Sequence, residues 1–169
     1  MKTPRSILAA LLRLVVLLTV AGCGDGSHGK QTSGASVPIK HEHTPPHSGT
    51  AIELGSESFH LELVRDPEAG VLKCYILDGQ LENFVRVADL SFIVNVTVAG
   101  KTERLTFSAV ANPATGETAG DTSLFEVHAD WLRTTSQFEG ELVSLTIRGT
   151  RFGPVPFQYP EGNEGKPPK

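Results

Sequence analysis

Between Thr50 and Tyr159 apolar and polar positions alternate in short runs, with a period of two rather than the 3.6 of a helix. The runs TAIELG (50–55) and FHLELVRD (59–66) flank SES, which predicts a hairpin whose Ile52 and Leu54 share a face with Phe59, Leu61 and Leu63. In such a hairpin Leu54 pairs with Phe59 and Ile52 with Leu61, so His60 falls opposite Glu53 on the outer, solvated face. VLKCYILD (71–78) follows the turn DPEAG and is closed by DGQ. LSFIVNVTV (90–98) runs to the turn AGK, and RLTFSAVA (104–111) alternates Leu105, Phe107 and Ala109. NPATGETAGD (112–121) is a polar loop, SLFEVHADWL (123–132) resumes the alternation, and RTTSQ interrupts it. GELVSLTIRG (140–149) aligns Val143, Leu145 and Ile147, and VPFQY (155–159) reads as an edge strand because proline lacks a ladder donor.

About seven or eight strands spaced roughly 8–15 residues apart, with no long 3.6-period segment, predict an all-β fold. The expected form is an antiparallel β-sandwich, Ig-like or a partly open barrel, over residues 49–160.

Outside that span the texture changes. Lys2 and Arg5 precede the apolar run ILAALLRLVVLLTV, broken only by Arg13, and small residues lead to Cys23. This predicts a secretion signal over residues 1–22 of the bacterial lipoprotein type, with Cys23 lipidated and heading the mature chain. The uninterrupted run from Leu14 to Val20 is far short of the ~20 residues of a membrane span. The expected location is therefore the bacterial cell envelope, at the periplasmic face or the outer membrane, with the lipid on Cys23 as the membrane partner. Residues 23–48 hold only Val37 and Ile39 as sizeable apolar groups and read as a flexible tether, which would reach on the order of 25–30 Å. Residues 161–169 read as a solvated, disordered tail.

The whole chain has 15 basic and 19 acidic side chains, a net charge of −4. Taking away the 3 basic residues of the signal leaves 12 against 19, a net of −7, which disfavours nucleic acid and anionic lipid surfaces as partners. With Cys23 lipidated, Cys74 has no partner for a disulfide; its alternation with Leu72 and Ile76 predicts a small core hydrophobe.

Candidate chemistry is concentrated before the strands. HEHTPPH, His41 to His47, holds three of the six histidines, and His28 lies upstream. Residues two apart in an extended chain point the same way, so His41 and His43 can address one cation. Thr44 is extended because a proline follows, Pro45 and Pro46 stiffen the segment, and His47 completes a candidate site that His28 could join through the tether. Neutral imidazole suits copper(II), zinc and nickel, and binding of this kind fails as pH falls below about 6.5. A polar spacer without a metal role is the alternative. No enzyme is expected. HEHTP opens like a zinc-peptidase helix, but Pro45 stands where the second histidine is needed, and no G-x-S-x-G elbow occurs. GDGSHGKQ has phosphate-loop spacing, yet Gln31 replaces the required Ser or Thr and no strand precedes it. His128, between Glu126 and Asp130 in the alternation, reads as an exposed residue without a ligand role.

HEHTPPHSG, ELG, FHLELVRD and GVLKCYILD together resemble small secreted bacterial proteins and domains with a His-rich PHGG segment and a YHLELV…LYVLD hairpin, associated with heavy-metal efflux and its periplasmic adaptor proteins. The resemblance covers residues 41–78. It implies a metal role for His47 and for the lead-in His41 and His43, adds His60 and Glu62 as further candidate ligands, and suggests a metal-efflux adaptor as partner. Ser48 stands where the pattern has glycine, which removes the residue best suited to a tight turn there. A rival expectation is a structural module that binds another envelope protein through the loop Asn112–Asp121 and the nearby Trp131.

Overall fold

The computed structural model describes residues 44–163. The first hairpin, β1 (Thr50–Leu54) and β2 (Phe59–Asp66), has the expected register, with Ile52 opposite Leu61, Glu53 opposite His60 and Leu54 opposite Phe59. Further strands are β3 (Val71–Asp78), β4 (Ser91–Val98), β5 (Lys101–Ala109), β6 (Leu124–His128), β7 (Phe138–Ile147), β8 (Thr150–Phe152) and β9 (Val155–Tyr159). One turn of 3-10 helix, Asp130–Arg133, is the only helical element among the described residues.

All pairings are antiparallel, and the strands form one sheet in the order β1-β2-β3-β6-β5-β4-β7, with β8 and β9 both paired to β7. The two ends of this sheet come together. Asn163, just past β9, accepts from the backbone N–H of Glu53 through Oδ1 at 2.7 Å and donates from Nδ2 to the Glu53 carbonyl at 3.1 Å. Thr50 Oγ1 donates to the Pro160 carbonyl at 3.0 Å. The result is a nearly closed barrel, the second of the two forms expected. Residues 160–163 are the clasp between its ends; of the stretch read as a solvated tail, 161–163 are therefore part of the domain. Residues 164–169 lie outside the described residues.

The inner face of every strand feeds one core, built around Ile52, Leu54, Leu61, Phe107, Phe125 and Leu142. Cys74 is fully buried in it, as the alternation predicts. The β4–β7 ladder slips between Ile93 and Val94, so Val143 is an extra residue in β7; such a bulge adds the local twist that closing a sheet requires. At one end of the barrel the Arg65 guanidinium donates to the carbonyls of Leu132 and Thr135, which pins the 3-10 turn under β2.

Strand β8 is the element the alternation does not predict. Arg148 and Gly149 both have positive φ, 50° and 80°, the backbone of a two-residue hairpin turn matched to strand twist. The short strand then packs Phe152 edge-on against Phe59 at 5.6 Å between centroids, beside the β1–β2 turn.

Candidate functional site

Strand β2 alternates as expected, but its outer face is not solvated. His60 is 2% exposed and Glu62 0%. After β3 the chain turns back over this face: Asp78 N–H donates to Asn83 O, Val85 N–H to Ile76 O, and Leu77 bridges Phe84. Leu77, the register partner of His60, and Leu81 are buried outside the main core, in a second small apolar layer. His60 Nδ1 lies 3.3 Å from the Asp78 carbonyl. The solvated pairing expected for His60 with Glu53 is thus overturned by a segment that alternation within β2 cannot reveal.

Glu62 is the only acid in the run LELV, and the chain before β1 folds down onto its carboxylate. Its Oε1 accepts the backbone N–H of His47 at 2.7 Å and of Gly49 at 2.9 Å, while Oε2 is 2.7 Å from His47 Nδ1. Charge-assisted bonds of this kind are about twice as strong as neutral ones, which offsets the burial of the carboxylate. Gly49 makes the approach feasible: a Cβ there would stand 2.6 Å from the Leu63 carbonyl oxygen. One residue earlier, Ser48 takes φ +56° and closes a turn by donating its N–H to the Pro45 carbonyl at 3.0 Å. The tight turn to which glycine is better suited is formed here with serine in the left-handed region.

The imidazole of His47 lies on the ring of Tyr75, centroids 3.9 Å apart and planes 16° from parallel. Tyr75 is the register partner of Glu62 on β3. Phe84, 49% exposed, flanks both rings at 5.7 and 5.9 Å. Burial, then the negative charges of Glu62 and Glu126, push the Tyr75 phenol above its ordinary pKa. Burial, with Glu62 again adding, does the same to the Cys74 thiol on the opposite face, which leaves it inert as a thiolate ligand. The His47 side chain keeps 36% of its surface exposed, and its Nε2 has no hydrogen-bond partner among the described residues.

Of the candidate ligands, then, the structure brings His47 and Glu62 together and buries His60 nearby. Glu62 is fully buried and both its oxygens are engaged, Oε1 by two backbone N–H groups and Oε2 by the His47 ring. Cys23, His28, His41 and His43 lie outside the described residues. His47 itself, assigned from sequence to the tether, is part of the domain surface. Among the described residues no group of three or more His, Cys, Asp or Glu converges on a single metal position. His128 is exposed at the end of β6, opposite Val71 on β3. The aromatic platform of Tyr75 and Phe84 is not predicted by the alternation; the only hint is that Tyr75 alternates with Leu72, Cys74 and Ile76 and so faces outward.

The rival surface is more closed than its composition suggests. Within the loop 112–121, Asn112 bridges Glu117 and Thr118 bridges Asp121. Arg86 donates to Asp121 and to the Thr115 carbonyl. Glu117 accepts from Ser123 N–H and Oγ and from Thr115 Oγ1; burial alone would raise its carboxyl, but these bonds and Arg86 bring it below the usual range. Trp131 is half-buried, donates Nε1–H to Glu103 at 3.0 Å and meets Phe138 edge-on.

Fold and site together define an all-β, barrel-like domain that carries one oriented, partly exposed imidazole on its wall. In comparisons with known proteins, no family model, curated sequence or solved structure matches this chain.

Proposed function

We propose that this chain is a lipid-anchored protein of the bacterial cell envelope that binds a divalent transition metal, copper, zinc or nickel, through His41, His43 and His47. Its role is accessory to metal efflux or homeostasis, with the lipid on Cys23 holding it to the membrane and an efflux adaptor or another envelope protein as partner. It is a binding protein, not an enzyme.

The observation that carries this reading is the state of His47. Its ring is fixed by the barrel on one side and on the other offers an Nε2 that has no hydrogen-bond partner among the described residues. The turn Pro45–Ser48 is closed by the Ser48 N–H on the Pro45 carbonyl, and His41 and His43 precede it by a few residues in the sequence. Imidazole nitrogens suit this group of metals.

Calorimetric titration of the mature chain, 23–169, purified without an affinity tag, tests the proposal with copper(II), zinc and nickel. Saturable heats are expected for the wild type and their loss in a His41→Ala, His43→Ala, His47→Ala triple variant. Equal heats for the two proteins, or none for the wild type, would remove it.

A further inference from the structure

Sequence comparison by resemblance places Glu62 among the candidate ligands; the geometry points to a different role. We infer that Glu62 is a positioning residue, whose carboxylate fixes the orientation and tautomer of His47 so that Nε2 presents its lone pair to the metal. The inference rests on the metal reading above for its purpose, but not for its geometry.

Three observations carry it. The carboxylate is held independently of the ring, because Oε1 accepts two backbone N–H groups, from His47 and Gly49. That leaves Oε2 aimed at Nδ1 at 2.7 Å. A carboxylate has lone pairs and no proton to give, so the hydrogen of this bond sits on Nδ1, and in the neutral ring Nε2 then carries the lone pair. Finally, the stack on Tyr75 at 3.9 Å, with Phe84 alongside, opposes the ring flip that would exchange Nδ1 for a carbon. A ligating histidine whose other ring nitrogen donates to a carboxylate is the arrangement that fixes tautomer and ring direction at metal sites.

The substitution Glu62→Gln keeps the side chain's shape but leaves a single oxygen, which cannot accept from two backbone N–H groups and the ring together. Two measurements decide the matter. Long-range proton–nitrogen correlation spectra of the metal-free, histidine-labelled wild type should show His47 with its proton on Nδ1. The Glu62→Gln variant should show a mixture of tautomers and bind metal about 10- to 100-fold more weakly, the usual effect of removing such a partner. A wild-type His47 protonated on Nε2, or a folded variant with unchanged affinity, would overturn the inference. The first measurement needs neither metal nor variant, so it holds even if Glu62→Gln fails to fold. A correct tautomer in a protein that binds no metal would instead sink the metal reading and leave Glu62 as an anchor of the 44–49 segment alone.

Discussion

Ser48 sits in the left-handed region at φ +56°, where an L side chain costs about 1 kcal/mol and glycine costs nothing sterically. Ser48→Gly is therefore expected to stabilise the domain by up to about 1 kcal/mol, read as a higher urea midpoint with an unchanged slope. Glu62→Ala should act in the opposite sense. It strips the partners from two backbone N–H groups and from the His47 ring, with an expected loss of about 3 kcal/mol in the same measurement. A loss below about 1 kcal/mol would mean that water replaces the carboxylate. These residues also mark the limit of a linear reading. Alternation correctly put His60 and Glu62 on the face opposite Leu61 and Leu63, but it cannot say what lies over that face. The cover comes from the segment after β3, whose Phe84 bridges Leu77, and from the incoming His47, pieces whose positions follow from tertiary return of the chain.

At the scale of elements, β7 organises the barrel's closure, since it carries β4 on one stretch and β9 and β8 in succession. Gly140 is the contact point. A Cβ there would stand 2.2 Å from the Phe157 ring, so Gly140→Ala must displace that buried ring, at an expected cost of about 1–3 kcal/mol. Thermal melting of the variant checks this, and an unshifted melt would show that Phe157 repacks freely. Asn163→Ala removes both clasp bonds to Glu53 and should open the β1 edge; faster amide exchange at Glu53 than at Leu61, the partner of Ile52 in β2, is the expected signature. The long strands are legible where apolar residues repeat at period two, as in β2 and β4. In β7 the bulge at Val143 breaks the phase, so Leu142 rather than Val143 joins Leu145 and Ile147 in the core. Strand β8, with three residues, is too short to show any period, although the Arg-Gly turn before it was a usable signal. The clasp was hidden for a different reason: Pro160–Asn163 has the composition of a tail, and only its hydrogen bonds to β1 make it structure.

For the molecule as a whole, the buried Cys74 couples the barrel to alkaline pH. Its folded pKa lies above the unfolded value of 9.0, so the folded state holds the thiol proton more tightly. The stability this contributes is fully present below about pH 9 and is lost as pH rises from there toward the folded pKa, at about 1.4 kcal/mol per pH unit. The Tyr75 phenol, also raised, adds in the same direction above its ordinary 10.0. Denaturant melts of the wild type between pH 8 and 10.5 should show this decline, and a Cys74→Ala variant, although less stable throughout, should show a shallower one. Equal slopes would remove the thiol from the account. The central claim concerns the opposite wall of the sheet, where a metal is expected to meet the Nε2 of His47. The most direct test is pulsed electron paramagnetic resonance on the copper(II)-loaded mature chain. Modulation from the remote nitrogen of directly bound imidazole is expected, reduced by one histidine in His47→Ala; spectra without histidine nitrogen, or identical in the variant, would contradict metal binding at His47.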